Sequence, residues 1–159
     1  MPTGPEFRSS HAGRPAAGMT LVELLTVLVI VGILASIAVP SYRAYILRSQ
    51  RTEATTELLH LQAAQEKFFL QNNQFTNNVV ASSAASPPGL GMSAVTPSGL
   101  YDLTVALTGG GSGYVATATP RAGGRQSDDT LCRVFTIDQN GVRGALDGGG
   151  TDVMQKCWR

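Results

Sequence analysis

The chain has 159 residues, 14% of them charged, and a formal net charge of +1 at pH 7. So even a balance gives no electrostatic case for nucleic acid as a default partner. Two histidines and two cysteines, with no nucleophile placed near a base, leave nothing from which to build a catalytic or four-ligand metal site, so no enzyme, cofactor or metal is expected.

Residues 1–18 carry Glu6, Arg8 and Arg14 and no apolar periodicity. His11 has no evident partner in this stretch. From Leu24 to Tyr42 there is no charged side chain, a run of 19 residues. A helix needs roughly 20 residues to cross the hydrocarbon of a bilayer. One acid, Glu23, stands at the N-terminal edge of the run, Gly32 and Ser36 interrupt it, and Pro40 lies near its end. Proline removes a backbone donor and clashes with the preceding turn, so a kink or local melting is expected at Pro40.

Beyond Pro40 the helical pattern becomes amphipathic. Ala54, Leu58, Leu61 and Phe68 recur on one face, while Arg48, Arg51, Glu53, Glu57, Glu66 and Lys67 decorate the rest. One helix is expected from about Met19 to about Gln71, and His60, between Leu59 and Leu61, reads as a boundary residue rather than a catalyst. Gln71–Asn78 is polar and turn-favouring and ends it. The Ala-, Ser-, Pro- and Gly-rich stretch up to Ser98 reads as a connecting loop, with a short helical piece around Val79–Ala85. Leu100–Leu107 and Tyr114–Thr119, separated by Gly109–Gly113, read as a hairpin. The glycine run has neither the Lys-Ser/Thr ending nor the following helix of a phosphate cradle. Leu131–Ile137 reads as a third strand and Val142–Leu146 as a fourth, joined by Asp138–Gly141, whose Asn-Gly favours a tight turn. Cys132 and Cys157 are expected to form a disulfide if the domain is exported. Trp158 is expected to pack on the sheet edge.

Gly18-Met19-Thr20-Leu21-Val22-Glu23-Leu24, followed by the apolar run, resembles the processing signal of type IV pilins. A signal peptide would instead place a short apolar core before its cleavage site. The resemblance implies that a prepilin peptidase cuts between Gly18 and Met19 and N-methylates Met19, where the family most often has Phe. It implies that Glu23, fifth in the mature chain, pairs with the methylated amine of a neighbouring subunit. Gly32 and Pro40 fall where the family has helix-softening residues. From Met19 on, 10 basic and 10 acidic residues remain, so the processed chain is formally neutral. Asp129-Thr130-Leu131-Cys132, Thr136–Gly141 and Cys157-Trp158 resemble the C-terminal half of small minor pilins, a group that includes a DNA-uptake-sequence receptor.

The expected fold is α+β, a long N-terminal helix packed by its second half on a four-stranded antiparallel sheet. The expected segments are a leader at 1–18, a transmembrane or filament-core helix at 19–42, and a periplasmic or extracellular head at 43–159. The resemblance implies a major or minor pilus subunit serving adhesion, twitching motility or DNA uptake. Its partners are then other pilin subunits, the peptidase, an inner-membrane assembly platform, and the bacterial inner membrane before assembly into an extracellular pilus. A DNA receptor on the filament is the alternative, using Arg121, Arg125, Arg133, Arg143 and Lys156 among interleaved acids. A secretion pseudopilin is a second alternative, disfavoured by the paired C-terminal cysteines.

Overall fold

The computed structural model describes residues 18–158. The leader charges Glu6, Arg8 and Arg14, His11, and the C-terminal Arg159 lie outside the described residues. Helix α1, Leu21–Asn72, is shared by two compact units that divide after Ser41. Its first turn is capped: Leu24 N–H donates to the Thr20 carbonyl at 3.1 Å and Glu23 N–H to Thr20 Oγ1 at 3.2 Å. The helical pattern runs unbroken through Pro40, so the local melting expected there does not occur.

In the first unit the helix is apolar on every side. Leu24, Ile30, Leu34 and Val39 are 48–62% exposed, and none of the most apolar stretch is buried within this chain. A helix hydrophobic all round requires lipid or other chains to cover it.

In the second unit α1 buries Arg51, Ala54, Leu58, Leu61, Gln65 and Phe68. These alternate three and four residues apart, the spacing of a single helix face. Opposite them lies an antiparallel sheet in the order β1 (Tyr101–Thr108), β2 (Gly113–Pro120), β3 (Val134–Asp138) and β4 (Arg143–Leu146). Pairing sets Leu103, Ala118, Phe135 and Ala145 in one inward row. Large residues thus alternate with small ones, and the helix residues Leu58 and Leu61 share their core. Such alternation lets two layers interdigitate at native density. The sheet's fourfold antiparallel character and the long helix agree with the expected α+β class.

Element ends differ from the sequence reading for identifiable reasons. Asn73, in the left-handed region at φ 54°, closes α1, its N–H donating to the Phe69 carbonyl at 2.8 Å. No helix forms over Val79–Ala85. Backbone groups there pair across the loop instead, with Met92 N–H on the Val79 carbonyl and Gly91 N–H on the Ala81 carbonyl. β3 begins at Val134, because the N–H groups of Leu131 and Cys132 are both taken by Asp129 Oδ1. β4 begins at Arg143, because Val142 N–H goes to Asp138 Oδ1. Gly109, Gly110 and Gly111 all have positive φ in the β1–β2 turn, a conformation that explains the glycine run without any ligand. His60 is a surface residue rather than a boundary one, its ring 63% exposed and 3.5 Å from Glu57.

Cys132 and Cys157 are joined, 25 residues apart in sequence. The bond ties the short helix α2, Met154–Cys157, to the chain entering β3. Trp158 packs at the sheet edge as expected, its Nε1–H donating to the Gly144 carbonyl at 2.8 Å and its ring 6.3 Å from Phe135. Replacing both cysteines with Ala should lower head stability by about 3 kcal/mol. Urea unfolding of oxidised protein against the double variant measures the loss.

The Tyr114 hydroxyl is buried next to Glu66 and Asp138, and burial foremost pushes its pKa up to about 12, while burial beside Asp129 raises Tyr101 further. Both groups are neutral in the fold and ionise more readily once unfolded. Their contribution is therefore complete below pH 10 and is lost as pH rises through 10 to 12. Tyrosinate absorbance from these two side chains should appear together with loss of the fold in an alkaline titration.

Candidate assembly and binding surfaces

Three regions carry chemistry beyond packing. The first is the N-terminal edge of α1. Gly18, Met19 and Glu23 are exposed. Thr20 and Glu23 have capping-box spacing, and the threonine half of that box is formed. An acid in the first helical turn also suits the positive end of the helix dipole, worth about 0.3–1 kcal/mol. Thr20, whose role the sequence reading missed, is signalled only by its place three residues before Glu23.

The second region is a buried polar cluster. Arg51 on α1 meets Asp129 through two parallel hydrogen bonds, Nε to Oδ2 at 2.6 Å and Nη2 to Oδ1 at 2.9 Å. Arg51 is 9% exposed and Asp129 2%. Asp129 also accepts from Gln126 Nε2 at 3.0 Å and from the backbone N–H groups of Leu131 and Cys132. Gln126, in the 3-10 turn Arg125–Asp128, reaches the Leu47 carbonyl at 3.3 Å. The cluster fastens the approach to β3 onto the helix. Nothing in the apolar periodicity signals it, because both charged members are polar types in a buried face.

The third region is the set of five candidate cations. The structure does not gather them into one site. Arg121 is held by Asp102 at 3.2 Å. Arg133 donates to the Ser127 carbonyl at 2.9 Å, and Arg143 lies 5.1 Å above the Trp158 ring. Arg125 is exposed on the 3-10 turn. Lys156 faces a separate groove with Arg48, Arg51, Thr52, Thr55, Leu131 and Cys157. Among the described residues no cluster of His, Cys, Asp and Glu is arranged to hold a metal ion.

Comparison with known proteins places this geometry. Residues 40–136 match the family described as type IV minor pilin ComP, DNA uptake sequence receptor. Residues 13–39 match the prokaryotic N-terminal methylation motif. The type IV major alpha-pilin of Moraxella bovis is 31% identical over 124 residues, covering 77% of this chain and 78% of that protein. The type IV major pilin protein PilE1 of Neisseria gonorrhoeae is 38% identical over 71 residues, 45% of this chain and 43% of its own length. The chain thus spans less than half the length of that relative. A solved type IV pilin from Shewanella oneidensis shares 24% identity with a TM-score of 0.41, covering 61% of this chain and 89% of that one.

Proposed function

This chain belongs to the type IV pilins, within the minor-pilin family of DNA uptake sequence receptors, and from that premise we propose that it is a processed subunit of a type IV pilus. The observation that carries the reading is the apolar half of α1, none of which is buried within the chain. Lipid covers that surface in the stored precursor, and the helices of neighbouring subunits cover it in the filament. Membrane and filament are then two ways of keeping the same side chains dry.

The processing signal gives the order of events. A peptidase cuts between Gly18 and Met19 and methylates the new Met19 amine. Glu23 pairs with the methylated amine of the adjoining subunit and sets the register of the helices as they leave the lipid. The inner-membrane assembly platform receives the processed chain. Gly32 and Pro40 soften the helix as subunits pack. A Gly18→Ala variant should keep its leader, visible as an unshifted band on a gel, and should be missing from sheared filaments. Normal processing of that variant would refute the assigned cut.

The family match over the head favours a second role, presentation of a DNA-binding surface by the filament. Arg125, Arg133 and Arg143 are the cations left for this role, because Arg121 is paired with Asp102 and Lys156 faces a separate groove. Each phosphate contact adds about 0.9 to the slope of log affinity against log salt. Full-length protein in neutral detergent micelles should therefore bind duplex DNA with a steep salt slope, reduced by about 3 in the triple Arg→Gln variant. Failure to bind at low salt ends this role and leaves the filament subunit intact.

A further inference from the structure

The groove facing Lys156 has a volume of about 250 Å³ and is lined by residues from three places. Arg48, Arg51, Thr52 and Thr55 come from α1, Leu131 from the approach to β3, and Lys156 and Cys157 from α2. Among the described residues no carboxylate lines it. The Arg51 charge is already answered by Asp129 behind the groove. Arg48 and Lys156 are exposed and, among the described residues, have no acidic partner. Asp128, Asp147 and Asp152 lie on neighbouring loops but do not enter the lining. Two cations without an acidic partner among the described residues, set beside threonine hydroxyls, make a seat for an oxygen anion.

Position in the chain identifies the anion. The head begins at Tyr42, where the apolar run ends. Arg48 follows six residues later, about 9 Å along a helix, and its long side chain leans back toward the helix N-terminus and so toward the bilayer. The headgroup layer on each side of a bilayer is roughly 5–8 Å thick. Tyr42 and Tyr45 are 65% and 69% exposed in the intervening turns, and tyrosines of this kind collect at the membrane–water interface. Arg43 stands exposed between them.

We propose that this groove seats the phosphate of an anionic phospholipid headgroup while the subunit is stored in the bilayer. Arg48 and Lys156 clasp the phosphate from two sides, and the Thr52 hydroxyl supplies a neutral donor. The Cys132–Cys157 bond keeps Lys156 opposite Arg48, so the disulfide is part of the site as well as of the fold. The headgroup must be released when the helix leaves the lipid, which couples extraction of the subunit to the lipid around it. The inference rests on Leu24–Tyr42 being held in a bilayer and is independent of what the finished filament binds.

The test uses the full chain in nanodiscs containing equal amounts of phosphatidylglycerol and phosphatidylcholine, with co-purifying lipids counted by native mass spectrometry. The wild type should retain phosphatidylglycerol with roughly twenty-five-fold preference, about fivefold from each cation. Arg48→Gln/Lys156→Gln should retain the two lipids equally with unchanged circular dichroism, while Arg125→Gln/Arg133→Gln keeps the preference. Equal retention by the wild type, or a preference surviving in the Arg48/Lys156 variant, overturns the proposal. So does loss of duplex DNA binding in that variant with its lipid preference intact, which would assign the groove to nucleic acid. Failure of the wild type to hold any lipid would overturn the bilayer premise and the proposal together, and that result is distinguishable from a mere lack of preference.

Discussion

Asp129→Ala should destabilise the head by about 3–5 kcal/mol, because breaking a buried ion pair leaves its partner charged and unanswered in a largely buried site. The partner is Arg51, 9% exposed, whose Nε and Nη2 both donate to that carboxylate. The N–H groups of Leu131 and Cys132 lose their acceptor at the same time, and Gln126 Nε2 keeps only the Leu47 carbonyl. A small domain has only about 5–15 kcal/mol of total stability, so a loss of this size brings it near unfolding. Arg51→Met/Asp129→Leu should recover much of the loss, because well-packed apolar residues can replace a buried pair at little cost. Urea denaturation of the two variants measures the difference. Equal destabilisation of the single and double variants would mean that the backbone bonds to Asp129, and not the ion pair, secure the approach to β3.

Glu23→Ala should lower incorporation into filaments by at least about tenfold, equivalent to the loss of some 1.4 kcal/mol of pairing energy, while membrane insertion and leader removal continue. Two roles of this residue have to be separated. As an acid in the first turn of α1 it stabilises the helix end by less than about 1 kcal/mol. In the proposed second role it pairs with the methylated amine of a neighbour and sets assembly. Glu23→Gln keeps the side chain's length and polarity and removes the charge, so it should assemble as poorly as Ala. Thr20→Ala removes the cap bond from Glu23 N–H, at about 1 kcal/mol, and should assemble normally. Immunoblots of sheared filaments against whole-cell extracts read all three. Normal assembly of Glu23→Gln would eliminate charge pairing as the role of this carboxylate.

Much of the fold is legible in the sequence because it rests on periodicity. Ala54, Leu58, Leu61 and Phe68 announce the buried face of α1, and that face is where the sheet packs. The same face includes Arg51 and Gln65, which an apolar pattern passes over. Gln65 is buried without penalty because both ends of its amide are used on the Thr76 backbone, at 2.6 and 3.2 Å. Arg51 finds Asp129 across 78 residues, a pairing that no local pattern reveals. The loop after α1 carries the weakest local signal. Val79–Ala85 contains helix-tolerant residues, yet its backbone groups bond to Gly89–Met92, and tertiary pairing overrides local propensity.

The surfaces divide in the same way. Glu23 and the Gly18–Met19 junction stand out in the sequence as candidates because charge and small size mark the edge of a long apolar run. The cations were visible only as residue types. Their placement separates Arg121, tied to Asp102, from Lys156, which joins Arg48 in a groove built from both ends of the head. By sequence Arg48 is simply helix decoration, since nothing in sequence sets it opposite a residue more than a hundred positions later.

The central claim is that one apolar helix exchanges lipid for sister helices after its leader is removed. Intact-mass spectrometry of this chain recovered from sheared extracellular filaments tests it most directly. The account predicts a polypeptide beginning at Met19, carrying one added methyl group and an intact Cys132–Cys157 bond. Recovery of the chain solely from the cell membrane, with residues 1–18 still attached, would contradict it.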